Sequence, residues 1–68
     1  MGTMATRTFL RLPQVIQLTG LRKSAIYKRI ALGQFPAPIR LSARASAWAS
    51  DEVESWQQLQ LDNRDAAA

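Results

Sequence analysis

The stretch Pro13-Gln14-Val15-Ile16-Gln17-Leu18-Thr19-Gly20, continued by Leu21-Arg22-Lys23-Ser24-Ala25-Ile26-Tyr27-Lys28-Arg29-Ile30-Ala31-Leu32-Gly33, decides how this chain folds. Pro13 has a fixed φ that suits the first helical position, and the short run behind it stops at Thr19-Gly20. This spacing predicts a helix of under two turns. Leu12, Val15, Ile16 and, at the margin, Leu18 form its core side. Gly20 supplies the left-handed residue that a tight helix connection wants. A second helix is expected from about Arg22 to the residue before Gly33, which serves as its C-cap.

At 100° per residue the second helix sorts into two faces. Ile26 and Ile30, four apart, mark the buried stripe. Ser24 and Lys28, also four apart, lie opposite, flanked by Tyr27, Ala25 and Ala31. One cation, one hydroxyl, one phenol and two small residues allow a close approach and still offer hydrogen bonds, which suits a nucleic-acid groove. Arg22 and Lys23 stand in the first turn, where the helix dipole disfavours cations unless an anion lies nearby. The competing explanation is an ordinary solvated face with Lys23 and Tyr27 stacked for packing.

Beyond Gly33, Gln34-Phe35-Pro36-Ala37-Pro38 forbids helix and favours extended backbone. Ile39-Arg40-Leu41 alternates apolar, basic and apolar, and Ser46-Ala47-Trp48 answers it across Ser42-Ala43-Arg44-Ala45. The pattern predicts a β-hairpin with Arg44 near its tip and Arg40 on its outward side. Ser50 is the expected N-cap of a third helix, with Asp51 and Glu52 in the first turn where the dipole favours them. Val53, Trp56 and Leu59 or Gln60 lay one face of that helix on the core. Trp48 and Trp56 read as core anchors, against the alternative of an exposed Trp that stacks on bases.

Both ends of the chain are polar. Residues 1–8 are expected to be a flexible N-terminus, with Met4 a second possible start, and 62–68 a flexible C-terminal tail, leaving 9–61 as the domain. Met1-Gly2-Thr3-Met4-Ala5-Thr6 satisfies an acylation pattern, but a permissive one, and a single acyl chain anchors only marginally. With 68 residues, 47% of them hydrophobic, there is room for one core. Such a chain hides only about 60% of the surface its unfolded form exposes. The absence of Cys and His removes disulfides, a thiolate nucleophile, an imidazole base and the usual zinc ligands. No cofactor, metal or small-molecule substrate is implied, and an enzyme is the least favoured class. Apolar runs are too short for a bilayer span, so a cytoplasmic protein without membrane partners is expected.

Charge is sorted along the chain. Arg7, Arg11, Arg22, Lys23, Lys28, Arg29, Arg40 and Arg44 fall in the first fifty residues, which hold no Asp or Glu. Asp51, Glu52, Glu54, Asp62 and Asp65 follow, with Arg64 alone among them. Segregation of this kind attracts and orients a polyanion. A helix-turn-helix followed by a basic hairpin is a winged arrangement, so the expected fold is mainly α with a small β-hairpin, three helices plus a two-stranded wing. In that arrangement Lys28, Ser24 and Lys23 reach base edges or nearby phosphates, Arg22 and Tyr27 hold the backbone, and Arg40 and Arg44 serve the wing. The expected partner is double-stranded DNA. A module this small buries only about 600 to 1,000 Å² on DNA, which calls for two copies, clustered sites, or a recombinase or polymerase partner.

Taken together, Leu10-Arg11-Leu12-Pro13-Gln14-Val15-Ile16, Thr19-Gly20-Leu21, Ser24-Ala25-Ile26-Tyr27-Lys28, Gly33-Gln34-Phe35-Pro36-Ala37-Pro38-Ile39-Arg40-Leu41, Trp48 and Glu52-Val53-Glu54-Ser55-Trp56 resemble the AlpA-type phage and prophage regulators. The likeness runs from about Phe9 to Gln60. It implies a MerR-like or excisionase-like winged helix-turn-helix that binds DNA and regulates prophage or mobile-element genes, some relatives acting as excisionases that bend DNA for a recombinase. Arg22 stands where the family commonly has a capping Ser or Thr, Arg29 where it tends to have a hydrophobic residue, and Ala47 where it often has Gly. Arg29 thereby points to a phosphate or to a partner subunit. Two alternatives to a transcriptional regulator stay open: an excisionase-like directionality factor, and a protein-interaction adaptor that uses its acidic third helix and does not bind DNA.

Overall fold

In the computed structural model, which describes residues 8–67, the chain runs β1 (Phe9–Leu10), α1 (Leu12–Thr19), α2 (Lys23–Ala31), β2 (Ile39–Ser42), β3 (Ala45–Ala49) and α3 (Ser50–Ala67). Three helices thus combine with a three-stranded antiparallel sheet of order β1-β3-β2. The expected two-stranded hairpin is present as β2 and β3, and β1 adds a third strand that was not expected. Phe9 pairs with Ala49 and Leu10 with Trp48 along the second edge of β3. Two residues are too few to show alternation, and only β3 gives them a ladder to join.

The helix boundaries follow from local chemistry. Leu12 opens α1 and Pro13 takes its second position, one later than expected. Gln14 Oε1 accepts the Arg11 N–H at 2.9 Å, satisfying a donor that the helix start leaves free. Gly20 ends α1 at φ +75°, in the left-handed region, and donates to the Ile16 carbonyl at 2.8 Å. Arg22 precedes α2 in extended conformation without a side-chain cap, as its residue type dictates. At the far end, Gly33 (φ +73°) donates to the Ile30 carbonyl at 3.0 Å and Gln34 to that of Arg29 at 2.7 Å, the paired closure of a Schellman turn.

The three helices and β3 supply the large fully buried side chains of the core: Val15 from α1, Ile26 from α2, Trp48 from β3 and Val53 from α3. Phe35, from the loop after α2, joins them with 6% exposure. Leu10, Leu12, Ile16, Leu21, Ile30 and Trp56 pack around this cluster. Both indoles clip the loop that precedes β2. Trp48 Nε1 donates to the Pro36 carbonyl and Trp56 Nε1 to that of Gln34, each at 3.0 Å, and Phe35 meets Trp56 edge-on at 5.0 Å. Burial of Trp48 removes it as a base-stacking platform. Leu18 stays outside the core at 50% exposure, and neither Leu59 nor Gln60 is buried. The core stops at Trp56 on α3.

The hairpin turns at Ala43-Arg44 with no left-handed residue, and a bulge at Leu41, between the Arg40–Ser46 and Ser42–Ala45 pairs, takes up the mismatch. Alternation along Ile39-Arg40-Leu41 therefore does not translate into burial: β2 is an exposed edge strand throughout. Ser50 is also placed differently from expectation. It is the first residue of α3, with no linker after β3, and its Oγ accepts the Thr8 N–H at 3.0 Å while its own N–H donates to the Thr8 carbonyl at 2.8 Å. Pairing of β1 with β3 brings Thr8 alongside, so the hydroxyl ties Thr8 to the start of α3, and Thr8 is not loose. The rest of the expected N-terminal flexibility, the second start at Met4 and the acylation pattern lie outside the described residues. At the other end α3 continues through the polar segment to Ala67, and Gln58 Nε2 donates to Asp62 Oδ1 at 3.0 Å where the backbone was expected to leave the helix.

Candidate nucleic-acid interface

On α2 the burial of Ile26 leaves Ser24 and Lys28 on the outermost face, both exposed and one helical turn apart, with Lys23 exposed in the first turn and Arg22 exposed just before it. Tyr27 sits at the edge of that face. Its ring meets Trp48 edge-on at 6.2 Å, yet the residue keeps 40% exposure. It therefore both packs and lines a surface, which joins the two readings that the sequence left apart.

The hairpin supplies the other cations. Arg44 is exposed at the turn, its backbone N–H donating to Ser42 Oγ at 3.3 Å. Arg40 is exposed and reaches the Ala43 carbonyl through Nη1 at 3.5 Å, which keeps its guanidinium at the turn.

Between α1, α2 and the hairpin lies a concavity whose wall includes Arg11, Pro13, Tyr27, Arg44, Ser46 and Trp48 and no carboxylate. Of the residues singled out from sequence, Tyr27 and Arg44 meet here. Arg22, Lys23, Ser24, Lys28 and Arg40 do not line it; they remain separate exposed positions on α2 and the hairpin. Arg11 is the residue that sequence reasoning missed. Its Nε donates to the Ser46 carbonyl on β3 at 3.1 Å. The one available signal was its place in the acid-free half just ahead of a helix, but its approach to β3 depends on the β1–β3 pairing.

Arg29 lies elsewhere. Two positions from Tyr27, and so about 200° around α2, it lines a separate hollow beside α3 with Trp56, Leu59, Gln60 and Asn63, and its Nη1 reaches the Ala25 carbonyl at 3.4 Å. The acids of the described part belong to α3: Asp51 and Glu52 occupy its first turn, and Glu54 and Asp62 follow. Among the described residues no group of His, Cys, Asp and Glu is arranged to hold a metal ion, and no helix is long and apolar enough to cross a membrane.

A family model described as the Prophage CP4-57 regulatory protein (AlpA) matches residues 8–61, from the Thr8 that is tied to Ser50 to the middle of α3. The chain belongs to the AlpA family. A phage relative agrees: it is 44% identical over 48 residues to a protein of Enterobacteria phage P4 named uncharacterized protein ORF88, an alignment that covers 71% of this chain and 54% of that protein. The chain thus spans about half the length of the curated relative it matches. The AlpA match takes in all three strands and both short helices, so the cationic surface lies within the family domain, and among the described residues only the last part of α3 falls outside it.

Proposed function

We propose that this AlpA-family chain binds double-stranded DNA as a winged helix-turn-helix regulator of phage or prophage genes. In this reading α1 and α2 form the helix-turn-helix, α2 enters a major groove, and β2 and β3 form the wing. Lys28, Ser24 and Lys23 reach base edges or adjacent phosphates, Arg22 and Tyr27 hold the backbone, and Arg40 and Arg44 serve the wing. The observation that carries the reading is the shared concavity of Tyr27 and Arg44. A helix residue and the hairpin turn open onto one acid-free surface, as a duplex contacted by both elements requires. Membership in a family of prophage regulatory proteins supports the regulatory part.

The test is selection of duplexes from a random pool, followed by binding titrations of selected and random duplexes over a range of salt. If about six phosphates are neutralised, log K falls against log salt with a slope of about −5. A slope near zero on every duplex overturns the proposal, and co-purification with a protein partner in its place favours an adaptor.

A further inference from the structure

We infer that the concavity between α1, α2 and the hairpin holds one phosphate of the DNA backbone, gripped by Arg11 and Arg44 with Tyr27 at its wall. This rests on the DNA-binding reading above and adds to it a residue, Arg11, and a defined point of contact.

Arg11 is held by β3. A guanidinium carries five N–H donors in a fixed plane. The bond from Nε to the Ser46 carbonyl, 3.1 Å long, uses one of them and braces the group against β3. The donors on Nη1 and Nη2 remain for a ligand. Bracing also matters for affinity, because a side chain already ordered loses less freedom on binding than a loose surface arginine. Tyr27 is likewise fixed, by its edge-on contact with Trp48.

Arg44 reaches the same hollow from the hairpin turn, 33 positions away in sequence, and no Asp or Glu lines the wall to neutralise the two cations. Two arginines that line one hollow without a carboxylate suit an anionic ligand. A phosphodiester fits it: it brings a negative charge and two unesterified oxygens, and arginine recognises such oxygens through paired N–H donors. Because the site joins the helix pair to the hairpin, one phosphate held there sets the register of both on the duplex without reading sequence.

The test compares the wild-type chain with R11A, R11K and R44A, using a random-sequence duplex and a duplex recovered by selection. Between about 50 and 200 mM salt, R11A and R44A should each lose about threefold less affinity than the wild type, the loss of one phosphate contact from the salt dependence. R11K keeps a cation without the Nε bond and should restore most of the slope. Phosphate-ethylation interference on the selected duplex should show a position that matters to the wild type and matters to neither R11A nor R44A. A wild-type slope in R11A overturns the inference, as does loss of different phosphates by R11A and R44A. An equal loss of slope in R11A and R11K, together with lowered melting temperatures, assigns Arg11 to bracing the hairpin and also overturns it. A wild-type chain that binds neither duplex defeats the DNA-binding reading itself, and this inference falls with it.

Discussion

Residues 8–49 and α3 are built on opposite principles. The first region is made of short elements, none longer than nine residues, that bury Val15, Ile26 and Trp48 inward and hold seven cations with no acid. The second is one helix of 18 residues that carries the acids, buries Val53 fully and Trp56 in part, and then runs on past the core with Leu59 at 53% exposure. A small domain thus divides its work between the two. Short elements with a shared core can turn several side chains toward one surface, whereas a single long helix closes the core from behind and keeps its negative charge with it. On the proposed reading a polyanion would meet the first region and be repelled by the second.

The largest effect is expected where the two regions meet. Trp48→Ala removes the largest fully buried side chain, the partner of Tyr27 and the donor to Pro36. A loss of about 3–5 kcal/mol is expected, enough to unfold most of a 68-residue domain, and urea denaturation followed by circular dichroism measures it. Val53→Ala tests the other region's hold on the core. It should cost about 1–3 kcal/mol, less than Trp48→Ala, and an equal or larger loss would show that α3 organises the core instead of closing it.

The electrostatic side of the contrast is sharpened by binding. Lys28→Ala should weaken a selected duplex by about tenfold and a random duplex by less, if Lys28 touches a base edge; equal loss on both makes it a phosphate contact. Glu54→Gln on α3 should leave stability within about 0.5 kcal/mol and tighten random-duplex binding slightly. Weaker binding in that variant would mean that α3 lies against the DNA. The smallest effect is expected from ending the chain after Leu61. The removed segment lies outside the family match and loses the Gln58–Asp62 bond, so the melting temperature should shift by only a few degrees.

Much of this was legible because it depends on neighbours in the chain. Pro13, Gly20 and Gly33 punctuate α1 and α2 through their own backbone preferences, and the spacing of Ile26 and Ile30 against Ser24 and Lys28 orients α2 correctly. Alternation around Ala43-Arg44 found the hairpin, and scarcity of other large residues placed Trp48 inside. Other features escaped because they depend on partners far along the chain. Nothing in Phe9-Leu10 signals a strand until β3 offers its edge, and Thr8 and Ser50 exchange hydrogen bonds across 42 positions. Phe35 reads as part of a proline-rich connection, yet the two indoles draw its loop onto the core. Leu41 fits an alternating strand, but the bulge takes it out of register.

From sequence alone came the two short helices, the hairpin, the separation of positive from negative charge, and the likeness to a family of prophage regulators. Those follow from local backbone preference and from side-chain chemistry counted along a line. Which cations line a common hollow was decided only by the tertiary structure. Arg11 and Arg44 reach one hollow because β1 pairs with β3 and Trp48 draws the helices and the sheet onto a common core. A meeting of that kind depends on long-range pairing and packing, for which no spacing along the chain is a substitute.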